Sequence, residues 1–211
     1  MAAGPATSAT PLETAQARIA DCLQLDGQGR LVQRRDYLNL SGLELTDAQL
    51  AEAGLAQLPH LRYLDLTRNQ LTELPECVTG CTGLIWLGLN FNRIEKLPEK
   101  LGALVNLQRL YLRGNLLTEL PRGIGDLAAL QELDLTYCEL AQLPSSMARL
   151  ESLEHIALGE RALAPELRAA WKEQQWQSLR EHLARTAKEV SATQFVGKVV
   201  LAGSQENGKT C

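Results

Sequence analysis

Apolar residues recur along the middle of the chain with a fixed period. Leucines stand 23 residues apart at positions 61, 84, 107, 130 and 153. Between them the chain follows the order L-x-x-L-x-L-x-x-N-x-L-x-x-L-P, which residues 61–75 show in full. A repeat of this length is typical of solenoids, in which each unit forms one coil and stacks on its neighbours.

The L-x-L part of each repeat predicts a short β-strand. Side chains alternate between the two faces of a strand, so Leu64 and Leu66 point into the coil. Tyr63, Asp65 and Thr67 then point outward. Successive strands stack about 4.8 Å apart as a parallel sheet. The predicted fold class is α/β, a solenoid with the parallel sheet on its concave face and helical caps at both ends.

An asparagine after each strand is predicted to connect neighbouring coils. The chain turns inside the solenoid at this point, where backbone groups lose contact with water, and an amide side chain can hydrogen-bond to them. Asn69, Asn92 and Asn115 form the predicted ladder, and Cys138 takes its fourth position. Arg161 stands at the fifth position, so we expect the fifth coil to be the last and the weakest.

This pattern resembles the leucine-rich repeat family over about residues 35–163. The resemblance implies a solenoid that serves as an interaction module, and leucine-rich repeats commonly carry cysteine in place of the asparagine. Upstream, Leu38 and Leu40 echo the strand, but Leu43 stands at the asparagine position and the unit is three residues longer. We therefore expect an irregular first repeat.

Terminal coils would expose leucine to water, so both ends of the solenoid need caps. Thr10 and Glu13 flank Pro11 in the pattern of a capping box, which predicts the start of a helix. The apolar face of that helix is predicted to hold Leu12, Ala15, Ile19 and Leu23. Downstream, Pro165 opens a segment of one or two amphipathic helices with apolar residues at Leu167, Trp171, Leu179 and Leu183.

Strand alternation places an unusual group of side chains on the predicted concave face or at its rim. Aromatic residues and arginines dominate the energetics of protein interfaces, and here they stand beside an acidic strip. We predict that these residues bind a protein or peptide partner: Tyr63, Trp86, Phe91, Arg109, Tyr111, Arg113, Glu132, Asp134 and Tyr137. The alternative interpretation is a solvated sheet surface.

Composition and charge narrow the function classes. The formal net charge is −4 and the basic residues are scattered, which argues against a nucleic-acid or membrane partner. The sequence shows neither a membrane span nor a secretory signal, so the expected compartment is the cytoplasm. Five cysteines without a second metal-type pair disfavour disulfides and zinc. Three histidines on separate elements provide no catalytic arrangement, so we predict that this chain is not an enzyme.

The last residues of the chain match the G-x-x-x-x-G-K-[ST] pattern of a phosphate-binding loop. Gly203, Gly208, Lys209 and Thr210 occupy the defining positions, directly after the apolar run 198–202. In a complete loop, backbone N–H groups cradle the phosphates, Lys209 reaches the outer phosphates and Thr210 coordinates magnesium. Without the helix that follows such a loop, no nucleotide or metal binding is expected from this chain itself.

Residues 197–210 resemble the first strand and loop of a Ras-like GTPase. Their position after leucine-rich repeats resembles the domain order of Roco proteins, which implies a longer parent protein that binds GTP or GDP and magnesium. Two alternatives remain: the regulatory half of a nucleotide-hydrolysing switch, or a stand-alone bacterial effector-like repeat protein.

The predicted organisation divides the chain into five segments. They are a disordered N-terminus over 1–10, an N-terminal cap over 11–34, leucine-rich repeats over 35–163, a helical C-terminal cap or linker over 164–194, and the truncated start of a P-loop GTPase-like domain over 195–211.

Overall fold

The computed structural model of the protein describes residues 9–25, 31–159, 162–174 and 176–188. The N-terminal end begins with helix α1 (Pro11–Cys22), which starts with the predicted capping box: Thr10 and Glu13 each accept a hydrogen bond from the other's backbone N–H. The antiparallel strands β1 (Leu23–Leu25) and β2 (Leu31–Arg34) follow the helix.

The sequence prediction for this cap was wrong in one respect. Leu23 was expected on the helix, but α1 ends at Cys22 and Leu23 opens β1. The buried face of α1 consists of Ala15, Ile19 and Cys22. The Arg18 guanidinium donates a hydrogen bond to the carbonyl of Asn39 (2.8 Å), which fixes the helix against the first strand of the large sheet.

A parallel sheet of six strands forms the body of the molecule, with the strands in chain order. This arrangement confirms the predicted fold class. The strands are β3 (Tyr37–Asn39), β4 (Tyr63–Asp65), β5 (Trp86–Gly88), β6 (Arg109–Tyr111), β7 (Glu132–Leu135) and β8 (His155–Leu158).

The strands pair in strict register, so equivalent repeat positions form rows across the sheet. Leu64 of β4 aligns with Leu87 of β5, which aligns with Leu110 of β6. These leucines are buried, and they form one continuous core with the leucines that follow them in each coil. Because every coil contributes the same apolar positions, the core extends along the whole sheet.

Short turns close the coils on the side opposite the sheet. They are helix α3 (Glu76–Thr79) and the 3-10 turns Leu55–Gln57, Glu99–Ala103, Arg122–Asp126 and Ser145–Arg149. In four of these turns a proline in extended conformation stands at the N-cap, where its missing N–H costs nothing. Each of these four turns also contributes one large apolar side chain to the core: Val78, Leu101, Ile124 and Met147.

The asparagine ladder is present as the repeat predicts. The Asn92 side chain donates to the carbonyls of Leu66 and Leu89 (3.0 Å each) and accepts from the N–H of Leu71 (3.2 Å). Asn69 and Asn115 make the equivalent three hydrogen bonds one coil away on either side. All three asparagines are buried, so they supply hydrogen-bond partners that water cannot.

Cys138 takes the fourth position of the ladder with a reduced set of contacts. Its thiol donates to the carbonyl of Leu112 (3.4 Å), and its own backbone N–H donates to the carbonyl of Leu135 (3.2 Å). Burial raises the pKa of the Cys138 thiol, so the group stays protonated and remains a donor at neutral pH.

The irregular first repeat contains a helix that the sequence analysis did not predict. Helix α2 (Asp47–Glu52) starts with its own capping box, formed by Thr46 and Gln49. The Asp47 carboxylate accepts hydrogen bonds from the backbone N–H of Thr72 (3.0 Å) and from its hydroxyl (2.5 Å). The extra residues of this unit therefore form α2, which is bonded to the next coil.

Two helices cover the last coil. Helix α4 (Pro165–Gln174) buries Leu167, and the helix over residues 176–188, named α5, buries Trp176, Leu179 and Leu183. The Arg180 Nε atom donates to the carbonyl of Ala148 (3.0 Å), which ties α5 to the solenoid. Arg161 and residues 189–211, which include the predicted phosphate loop, lie outside the described residues.

Candidate functional site

The predicted partner-binding residues lie together on the exposed face of the sheet, here called the strand face. The strand register places them in four rows that run across the strands. Tyr63, Trp86, Arg109 and Glu132 lie in the first row, Tyr111 and Asp134 in the second, Arg113 in the third, and Phe91 and Tyr137 in the fourth. The structure thus brings all nine residues to one surface.

The Trp86 side chain is seated on Gly88 of the same strand. A Cβ atom built on Gly88 would lie 2.4 Å from the indole Cη2 atom, so the ring occupies the space that any other residue would fill. Its ring centroid lies 5.6 Å from that of Tyr111, with the planes tilted by 49°. Gly88 itself is buried beneath the indole. Trp86 therefore has a packing role as well as an exposed part.

Tyr111, Glu132 and Arg109 form a hydrogen-bonded network between two neighbouring strands. The Tyr111 hydroxyl donates to Glu132 Oε2 (2.5 Å), and Arg109 Nε donates to Glu132 Oε1 (3.1 Å). The bond from Tyr111, followed by the contact with Arg109, holds the pKa of Glu132 below its ordinary value. Burial, followed by the Glu132 carboxylate, raises the pKa of Tyr111 to about 12. The network fixes three of the predicted site residues in place before any partner arrives.

The aspartates of the second row accept hydrogen bonds from threonines two residues further along the chain. Asp134 Oδ1 accepts hydrogen bonds from the backbone N–H of Thr136 (2.9 Å) and from its hydroxyl, and Asp65 accepts from the N–H of Thr67 (2.9 Å). The predicted acidic strip of Glu132 and Asp134 is therefore bonded within the protein, and each carboxylate has only part of its hydrogen-bonding capacity left for a partner.

The fourth row lies where the chain turns away from each strand, and its residues have a left-handed backbone. Arg68, Phe91 and Tyr137 have φ angles of 57°, 55° and 60°, and glycines 42 and 114 occupy the equivalent positions with φ of 68°. A left-handed conformation costs a residue with a side chain about 1 kcal/mol or more. Three coils thus carry a large side chain at this turn, although glycine, which two other coils have there, adopts the left-handed conformation without strain.

The aromatic residues of the fourth row are covered by arginines. The guanidinium carbon of Arg113 lies 4.9 Å from the ring centroid of Tyr137, and that of Arg68 lies 5.9 Å from the ring centroid of Phe91. Both rings are nevertheless exposed, with 47% of Phe91 and 67% of Tyr137 accessible to solvent. The Nε atom of Arg113 is buried and has no hydrogen-bond partner within the described part of the chain.

Two residues of this surface were missed by the sequence analysis. Tyr37 is half exposed and pairs in register with Tyr63, which extends the first row by one aromatic residue. Arg68 occupies the repeat position of Phe91. Extending the repeat spacing upstream from Phe91 finds Arg68, whereas the irregular first repeat hides the position of Tyr37.

The described residues contain no cluster of metal-ligating side chains. Among them, Cys22, Cys77, Cys81 and Cys138 are free thiols, and burial raises the pKa of all four. No helix in the described ranges is long and apolar enough to cross a membrane. Exposed aromatic rings and arginine guanidinium groups on an open sheet are side chains of the kind that bind the surface of another molecule.

Two overlapping parts of the chain, residues 36–94 and 82–140, match the family model of the leucine rich repeat. The chain carries a leucine-rich repeat domain. No curated protein matches it. An LRR protein of Leptospira interrogans is similar in structure, with 30% identity, 65% of this chain and 35% of that chain covered, and a TM-score of 0.54.

Two further leucine-rich repeat structures resemble parts of the chain. TLR13, solved as a complex with ssRNA13, is 25% identical and covers 58% of this chain and 18% of its own, with a TM-score of 0.52. The LRR ectodomain of the receptor kinase SOBIR1 from Arabidopsis thaliana is 24% identical, covers 50% of this chain and 59% of its own, and has a TM-score of 0.45. The matched part of this chain thus spans about a third of the length of the Leptospira protein and a smaller share of the length of TLR13.

Proposed function

We propose that the leucine-rich repeat domain is a protein-interaction module that holds a protein or peptide on its strand face. The observation that carries this proposal is the fixed position of the Trp86 indole on Gly88, here called the Trp86 platform. Its indole is seated on Gly88 and lies beside Tyr111, so little side-chain entropy is lost when a partner covers it. Buried aromatic anchors of this kind supply most of the energy of protein interfaces.

The left-handed turns support the same proposal. Gly42 and Gly114 are compatible with this turn without backbone strain, yet Arg68, Phe91 and Tyr137 occupy it at a conformational cost. Strained positions are typical of functional surfaces, because the native fold alone has no need of them. The exposed rings of the fourth row, which lie on the same face as Trp86, would provide a second contact area.

Capture from a cell lysate, followed by a direct binding assay with the captured protein, tests this function. Trp86→Ala is expected to weaken the interaction by about 2 kcal/mol or more, because the central anchor is lost. Leu116→Ala is the matched control, since Leu116 is 53% exposed and lies outside the strand face. Equal binding by the two variants contradicts the proposal.

We also propose that the domain belongs to a Roco-type GTPase. Only the sequence supports this part: Gly203, Gly208, Lys209 and Thr210 match a phosphate loop. In the complete protein the loop would bind GTP or GDP, and Thr210 would coordinate magnesium. A cytoplasmic location follows from this proposal, because intracellular nucleotide is its ligand.

Calorimetry on a chain extended beyond residue 211 tests the GTPase proposal. The extended chain should bind GDP with magnesium, and Lys209→Ala should abolish the binding heat. An extended chain that ignores guanine nucleotides contradicts the assignment and leaves the interaction module unaffected.

A further inference from the structure

We propose that the fourth row and Arg113 recognise an acidic peptide segment of the partner protein. These four residues, Arg68, Phe91, Arg113 and Tyr137, are called the arginine rim. This inference rests on the proposed interaction function and adds the chemistry of the ligand. It depends on three features: two arginines without a carboxylate partner, aromatic rings that orient them, and the distance between them.

The two rim arginines differ from Arg109 on the same face in their charge pairing. Arg109 is bonded to the Glu132 carboxylate, at 3.1 Å. Arg68 and Arg113 form no ion pair with any described residue, and the buried Nε of Arg113 has no partner. Arg68 is exposed and Arg113 is only partly buried, so without a carboxylate partner their positive charges and outer N–H groups remain available to an incoming anion.

Stacking on aromatic rings prepares these guanidinium groups for an anion. Tyr137 lies 4.9 Å from the guanidinium carbon of Arg113, and Phe91 lies 5.9 Å from that of Arg68. A guanidinium over a ring keeps the N–H groups along its edge available, and that edge matches a carboxylate or phosphate with two parallel hydrogen bonds. The exposed parts of the same rings can contact apolar side chains between the anionic groups.

The spacing of the rim limits the shape of the ligand. Phe91 and Tyr137 stand in equivalent positions two strands apart, which is about 10 Å. Gly114 lies between them and adds no side chain, and the Phe91 ring lies over it, with one ring carbon 2.9 Å from the place where a Cβ would stand. An extended polyproline II-type segment advances about 9 Å in three residues and returns to the same side. The expected motif therefore has acidic residues at positions i and i+3.

The charges around the rim favour an acidic peptide over a nucleic acid. The net charge of the chain is −4, and the carboxylates of Glu132 and Asp134 lie on the same face. A nucleic acid presents a phosphate at every nucleotide and needs a continuous basic stripe. Two arginines can each bind one anionic side chain of a peptide. On a nucleic acid, the phosphates that the two arginines do not bind would face the carboxylates of the same surface.

Selection of a random-peptide display library on the full chain tests the inference. Enriched peptides should carry Asp or Glu in pairs three residues apart, and added salt should weaken their binding. The double variant Arg68→Gln/Arg113→Gln should bind them about tenfold more weakly or worse. The matched control Arg93→Gln/Arg122→Gln removes the same charge from exposed positions outside the strand face, and its affinity should stay within about twofold of the parent.

A second pair of variants separates charge from geometry. Arg68→Lys/Arg113→Lys keeps both positive charges but removes the planar fork, so its affinity should fall between those of the parent and the glutamine variant. Unchanged thermal unfolding of both double variants is expected, because these side chains make no hydrogen bond to the described core. If the glutamine variant does not fold, the lysine variant decides, and parent-like affinity for the selected peptides contradicts the arginine contact.

The outcomes distinguish this inference from the proposed function. Selected peptides without an excess of acidic residues, which lose affinity in Trp86→Ala but not in Arg68→Gln/Arg113→Gln, contradict the acidic ligand and retain the interaction module. A library that yields no binding sequence contradicts both. Tighter binding of a single-stranded RNA oligonucleotide than of any peptide also overturns the acidic-peptide assignment.

Two synthetic peptides identify the source of the anionic groups. One carries glutamate at the two selected positions and the other carries phosphoserine there. Tighter binding of the phosphoserine peptide assigns the rim to a phosphorylated segment, and equal or weaker binding assigns it to carboxylates; both results support recognition of an acidic segment. If neither peptide binds more tightly than a glutamine version, the inference is wrong.

Discussion

Replacing the buried Asn92 by alanine should destabilise the solenoid more than replacing an exposed asparagine by alanine does. The side chain satisfies three buried backbone groups, namely the carbonyls of Leu66 and Leu89 and the N–H of Leu71. Each buried group left without a partner costs about 1 to 3 kcal/mol. Their sum is about 3 to 9 kcal/mol, of which entering water can recover a part. Because domains are stable by only about 5 to 15 kcal/mol, even the lower limit is a large fraction.

Urea unfolding of matched variants measures this loss. Asn106→Ala is the control, because Asn106 is exposed and donates one hydrogen bond, to the carbonyl of Thr82 (3.0 Å). We expect the control to lose less than about 1 kcal/mol and Asn92→Ala to lose about 3 kcal/mol or more. Asn92→Cys should lose less than Asn92→Ala, since Cys138 already shows that a thiol can donate to the carbonyl of the preceding coil.

The result that would refute the ladder is equal stability of Asn92→Ala and Asn106→Ala. Equal losses would mean that water satisfies the three backbone groups as well as the amide does. A change in the denaturant dependence of unfolding, without a shift of the midpoint, would instead point to altered compactness of the unfolded chain.

Two further predictions concern the strand face. Gly88→Ala should force the Trp86 indole off its seat, because the new Cβ would lie 2.4 Å from Cη2; tryptophan emission should shift, and unchanged emission contradicts the seating. The phenol of Tyr111 has its pKa raised from 10.0 to about 12, so its stabilising contribution is complete below pH 10 and is lost as pH rises toward 12. Urea unfolding should show this loss in the parent and less of it in Tyr111→Phe, and equal losses contradict the Glu132 contact.

The sequence by itself determined the repeating unit and its orientation. The spacing of Leu64 and Leu66 within a repeat leaves one arrangement in which leucines are buried in every coil, and the observed register follows it. The asparagine ladder was equally predictable, since a buried turn needs hydrogen-bond partners and one amide recurs at that place. The starts of the N-terminal helix and of α4 were readable from Thr10 and Pro165.

The tertiary structure decided what the repeat pattern does not specify. The three extra residues of the first repeat could have formed a longer loop, but Thr46 and Gln49 start helix α2 there, because a capping box satisfies its first N–H groups. Leu23 left the predicted helix because the chain pairs with β2 instead. Both outcomes depend on competition between local hydrogen bonds and contacts with neighbouring coils, which spacing alone does not resolve.

The candidate site shows the same division between pattern and structure. Alternation along each strand placed Trp86 and Arg113 on one face, but alternation assigns only a side and not a contact. Whether an indole stands free or lies on Gly88, and whether an arginine meets a carboxylate or a ring, depends on side chains one strand away and on how they pack. Those distances of a few ångströms exist only once the coils are stacked, because residues far apart in sequence become neighbours only then.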